Sequence, residues 1–138
     1  MENNYMCPKC KGYLNVGQHV VFSVTTAQNK RGILLLSPTL GDYSVICHPS
    51  MTLSEGEKIS FFCPICRARL ASKKHTNLAK VLMVNEKNEV YEVLFSEIAG
   101  EQCTFQVMQG NFKVFGEHSQ LYREFLDVVR KGHPYKNL

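Results

Sequence analysis

Apolar and polar positions along this chain follow strand patterns for most of its length. Tyr13 to Thr26, YLNVGQHVVFSVTT, is rich in β-branched and aromatic residues, and QNKRG supplies turn residues before ILLLS, which predicts a β-hairpin. DYSVICH and EKISFFC predict further short strands, separated by PSMTLSEG, whose Pro, Ser and Gly favour a loop. No pattern of helical period competes within residues 1–66. Farther on, AKVLMVN, EVYEVLFSE, CTFQVM and FKVF are joined by EKNE, IAGEQ and QGN, each short enough for a hairpin, which predicts a four-stranded antiparallel meander.

The last element differs. Leu121, Phe125, Val128 and Val129 recur at helical spacing, with Ser119 as N-cap and Gly132 then Pro134 as a stop. One C-terminal helix is therefore expected across the meander. The polar, basic stretch RARLASKKHTN is the expected linker, dividing the chain into residues 1–75 and residues 76–138, two halves that could pack as one unit. The fold class expected is mainly β (α+β): an N-terminal antiparallel sheet, then the meander and its helix.

At 138 residues and 44% hydrophobic, the chain suits one domain or two small ones sharing a core. No apolar run approaches the roughly 20 residues of a membrane helix, and GILLLSP is broken by Ser37 and Pro38. MENNYMCPKC has no basic segment followed by an apolar core, so no secretory signal is expected and the cytoplasm is the expected compartment.

Cysteine usage changes the picture most. Four of the six cysteines form two Cys-x-x-Cys pairs, and with no export signal metal ligation is favoured over a disulfide framework. CPKCKGYL and CPICRARL share Cys, Pro, any residue, Cys, a basic residue, a small residue, any residue and Leu, which makes a short internal repeat. Pro8 and Pro64 stiffen each turn, and Gly12 is expected to permit a positive φ at the tip of the first. Lys11 and Arg67 would offset part of the charge of four thiolates around a divalent cation. Half-sites bridging two chains and redox dithiols are the alternatives, although a redox pair usually opens a helix in a βαβ setting and none is visible.

These two motifs resemble the zinc-ribbon group, in which paired Cys-x-x-Cys knuckles at hairpin ends hold one structural zinc. The resemblance covers the knuckles and little else. It implies that Cys7, Cys10, Cys63 and Cys66 are the ligands of one structural Zn2+ per chain. The interval of residues 11–62 is longer than in compact ribbons and implies an inserted β-sheet. Ala68 stands where the first knuckle has Gly12.

A structural zinc shell of four cysteines leaves no open position, and the scattered His19, His75, His118 and His133 form no metal motif. With no phosphate loop or nucleophile elbow either, neither enzyme activity nor a small-molecule substrate is expected. Cys47 and His48 are neighbours, and alternate strand residues face opposite ways, so a core Cys beside a surface His is expected. Cys103 is expected to be an inert core residue.

The net charge of +4 is uneven: nine Lys or Arg against four acids through His75, then seven against eight. The leading expectation is a non-enzymatic structural-zinc protein acting as an interaction or adaptor module, with a protein partner or a second copy of itself. The alternative is a nucleic-acid binder using Lys9, Lys11, Arg67, Arg69, Lys73 and Lys74 around the knuckles, with Tyr5 or Tyr13 for stacking. The third is a thiolate switch that releases metal on oxidation.

Overall fold

The structure, a computed structural model, describes residues 3–73, 75–108 and 111–122. Its strands are β1 (Asn4–Met6), β2 (Asn15–Val16), β3 (His19–Thr25), β4 (Arg31–Leu36), β5 (Val45–Ile46), β6 (Ser60–Phe62), β7 (Leu78–Val84), β8 (Val90–Ser96), β9 (Thr104–Met108) and β10 (Asn111–Phe115). They form two antiparallel sheets. One has the order β1-β7-β8-β9-β10; the other runs β2-β3-β4-β5, with β6 also paired to β3.

The expected hairpin and meander are present, with one correction. The run from Tyr13 to Thr26 is not one strand: Val16 pairs with His19 around a two-residue turn, and Gly17 there takes φ +58°, so the chain folds back before β3 begins. Among the described residues there is no α-helix, only a 3-10 turn at Ser119–Tyr122. The remainder of the expected C-terminal helix, including Phe125, Val128 and Val129, lies outside the described residues.

Strand alternation sorts side chains between layers. Val20, Phe22 and Val24 of β3 face inward with Val81, Met83 and Val93 of the other sheet. Phe22, Phe61 and Phe95 form a trio across both sheets, with ring centroids 5.1 to 5.5 Å apart. The meander is buried on its second face as well, where Leu78, Leu94, Phe105 and Val107 pack with Tyr122. This accounts for the adjacent buried residues of β7 and β8, Leu78 with Ala79 and Val93 with Leu94.

The two halves repeat one another. β3 and β4 are joined by a turn in which the Thr26 N–H donates to Lys30 and Asn29 takes φ +65°; β7 and β8 are joined by the same turn, Asn85 donating to Glu89 and Asn88 taking φ +63°. The Leu36 to Val45 pairing of β4 with β5 matches the Phe95 to Thr104 pairing of β8 with β9. The first strand of each half is exchanged. β1 pairs with β7 through Tyr5 and Met83, and β6 pairs with β3 through Phe61 and Val24, in equivalent registers. The expected linker is itself engaged, since Ala71 bridges to Ala79 as Asn15 pairs with Val20.

Candidate metal centre

The exchanged strands lead directly into the two knuckles, which is why residues far apart in sequence meet. Cys7 follows β1 and Cys63 follows β6, and both are buried; Cys10 and Cys66 complete the turns at the surface. The four Sγ atoms all lie within 4.8 Å of one another. Across the knuckles, Cys7 Sγ is 3.8 Å from Cys66 Sγ and Cys10 Sγ is 3.9 Å from Cys63 Sγ.

Those separations suit a metal better than a sulfur bond. A disulfide needs about 2.05 Å. A zinc–sulfur bond of about 2.3 Å in a tetrahedron sets neighbouring sulfurs about 3.8 Å apart. The donor set therefore fits a tetrahedral, thiophilic cation.

Backbone geometry prepares each knuckle for thiolates. The N–H groups of Lys9 and Cys10 donate to Cys7 Sγ at 3.3 and 3.5 Å, and those of Ile65 and Cys66 donate to Cys63 Sγ at 3.3 and 3.4 Å. The Lys11 N–H donates to Cys7 O at 3.0 Å and the Arg67 N–H to Cys63 O at 2.9 Å, closing both turns alike. Burial pushes the Cys7 thiol up to about 12, whereas the Ala68 N–H holds Cys66 below the usual thiol range. A bound divalent cation would supply the charge that lets the buried thiol ionise.

The role expected of Gly12 is corrected by these turns. Positive φ falls one residue earlier, at Lys11 (61°) and Arg67 (66°), so the second knuckle needs no glycine and Ala68 fits. Gly12 is instead short of space: a Cβ there would stand 2.5 Å from Ile65 Cδ1 and 3.3 Å from Cys10 Sγ. Ile65 is largely exposed and its end can swing away. Gly12→Ala is expected to cost under about 1 kcal/mol, and a double-mutant cycle with Ile65→Ala should remove most of that cost, read by urea unfolding.

The basic residues of the expected contact set differ in their surroundings. Lys9, Lys11, Arg67 and Lys73 are exposed, although the Lys11 ammonium donates to its own Pro8 carbonyl at 2.8 Å. Arg69 turns inward, giving two hydrogen bonds to Glu97 at 2.5 and 2.9 Å while its guanidinium lies 5.6 Å from the Phe62 ring centroid. Lys74 lies outside the described residues. Cys103 is fully buried, Cys47 is half-buried against the core, and His48 is exposed with its ring bonded to Ser50.

Two features were not anticipated from the sequence. Glu97 closes the predicted strand EVYEVLFSE with nothing in the sequence to mark it for burial, yet it is buried and carries the Arg69 pair. A cleft between the sheets, lined in part by Phe22, Phe61 and Phe95, has no motif to announce it. No helix among the described residues is long and apolar enough to cross a membrane. Comparison with protein-family models, with curated proteins and with solved structures returned no match.

Proposed function

We propose that this chain is a structural-zinc protein whose work is binding rather than catalysis. One zinc per chain, held by Cys7, Cys10, Cys63 and Cys66, ties the exchanged strands together. The observation that carries this reading is the set of four sulfurs at tetrahedral spacing in two matching knuckles. A closed shell of this kind organises a surface and leaves no coordination position for a substrate.

The surface best suited to a protein partner or a second copy surrounds the knuckles. Tyr13 is 61% exposed and Ile65 59% exposed, and Ile65 reaches to Gly12, next to Tyr13. Lys9, Lys11 and Arg67 supply a polar rim. The same exposed bases support nucleic-acid contact as a second reading, weakened by the commitment of Arg69 to Glu97.

Elemental analysis of protein purified without added metal is expected to give one zinc per chain. Sedimentation and partner binding should weaken in Tyr13→Ser with Ile65→Ser while zinc content is unchanged. Retained binding by that variant would sink the knuckle surface. Steep loss of affinity for an arbitrary oligonucleotide with rising salt would move the weight to nucleic acid.

A further inference from the structure

We propose that the cleft between the two sheets binds a small organic cation with an apolar body. The cleft has a volume of about 360 Å³, within the range of roughly 300 to 1,000 Å³ of small-molecule sites. Its floor is made by buried side chains of both sheets, Phe22, Phe61, Val81 and Val93 among them. The aromatic rings there give apolar contact, and aromatic rings as a class attract cations.

The rim is built twice, once by each half. Leu40-Gly41-Asp42 precedes β5, and Ala99-Gly100-Glu101 occupies the equivalent place before β9; both glycines take positive φ, 91° and 85°. Each loop therefore carries a carboxylate at the same position. Glu101 accepts from Ser96 Oγ at 2.7 Å and from the Tyr122 hydroxyl. Asp42 accepts from Ser44 and is held below the usual carboxylate range by those bonds, so it is ionised at neutral pH. Glu55, from the loop before β6, packs across Gly100.

Charge selects the ligand class. Among the described residues, the charged ones lining the cleft are Asp42, Glu55, Glu97 and Glu101, with no Lys, Arg or His, although the chain as a whole is basic. Glu97 is already met by Arg69, and hydroxyls meet Glu101 without cancelling its charge. Exposed Asp42 and Glu55 therefore set a negative rim over an aromatic floor, and the oxygens of Tyr43 and Thr104, 2.9 Å apart, keep lone pairs for an ammonium N–H. An amine with an apolar tail satisfies both parts, whereas a carboxylate of the same shape is repelled. This inference does not depend on which ion the sulfurs hold.

The test uses the full chain as purified, with its metal content recorded on the same sample so that failure of the metal reading registers separately. Titration with 4-phenylbutylammonium, 4-phenylbutanol and 4-phenylbutyrate, followed by amide chemical shifts, is expected to rank them in that order. The ammonium should bind about tenfold or more tighter than the carboxylate at low salt. Shifts should concentrate in residues 36–45 and 95–104. Asp42→Asn with Glu55→Gln, both at exposed positions, should cut the preference to about threefold or less while spectra elsewhere stay unchanged. Equal binding of all three compounds, no binding at millimolar concentration, or a preference that survives in the double variant would each overturn the proposal.

Discussion

Stripping the metal at neutral pH should unfold both sheets together. A structural zinc contributes about 10–16 kcal/mol of binding free energy in small modules, against a net stability of about 5–15 kcal/mol for a whole domain. Losing it therefore removes as much as the fold has to spare. Sequence alone points to loosening or unfolding of the first half, because the knuckles lie in residues 1–75. The strand exchange extends the effect: β1 leads to Cys7 but is bonded to β7, and β6 leads to Cys63 but is bonded to β3. Tyr5 and Phe61, each two residues ahead of a buried cysteine, also sit in the shared core.

Hydrogen exchange after chelation is the direct measurement. Amides of β3 and β7 should lose protection at the same rate as one another. Persisting protection of β7, β8 and β9 in metal-free protein would show that the meander stands alone. Among single variants, Cys7→Ser and Cys63→Ser should be more damaging than Cys10→Ser and Cys66→Ser, since the former pair is buried and accepts from two backbone N–H groups each. Binding of an ammonium ligand in the cleft should be lost with the metal, because Tyr5 and Phe61 line that cleft too.

Legibility in the sequence followed the range of the interactions. The β3–β4 hairpin and the meander are built from neighbours in the chain, so alternation and turn residues were enough to find them. The cysteine pairs announced themselves by type and spacing. Reciprocal exchange of β1 and β6 joins segments 35 to 80 residues apart, and no local pattern encodes such a pairing. A signal did exist, since the repeat seen in CPKCKGYL and CPICRARL extends outward to Tyr5 with Phe61 and Asn29 with Asn88. Aligning the halves beyond the knuckles would have exposed the duplicated hairpin. Gly12 misled for a different reason: a glycine in a turn suggests positive φ, whereas here it marks the approach of Ile65 from the other knuckle. The 3-10 turn at Ser119 begins where a helix start was expected, and Tyr122 covers part of the meander face that helix was meant to cover.

Divergence between the halves points to the second large effect. Where the first half has exposed Tyr13, the second has Arg69, and where the first has Pro38, the second has Glu97. The changes are matched: in the first half the Tyr5 hydroxyl donates to the Pro38 carbonyl at 2.7 Å, while in the second Phe61 has no hydroxyl and Arg69 reaches Glu97 instead. The Glu97 side chain is fully buried and that of Arg69 is 33% exposed. Arg69→Met would leave the carboxylate buried with only the Phe61 N–H, 3.4 Å away, among its described donors. The expected loss is about 3–5 kcal/mol, because an uncompensated buried charge costs more than the intact pair contributes. In a chain of this size that lowers Tm by roughly 10–20 °C.

Glu97→Gln in the Arg69→Met background should recover about half of the loss or more, since a neutral amide keeps an oxygen for Phe61 and removes the buried charge. Thermal unfolding of the two single variants and the double variant closes the cycle. A double variant no more stable than Arg69→Met would mean that the guanidinium acts through packing on Phe62 and not through charge. Partial recovery would establish Arg69 as a structural residue of the second half, and would leave Lys9, Lys11, Arg67 and Lys73 as the exposed bases of that set among the described residues.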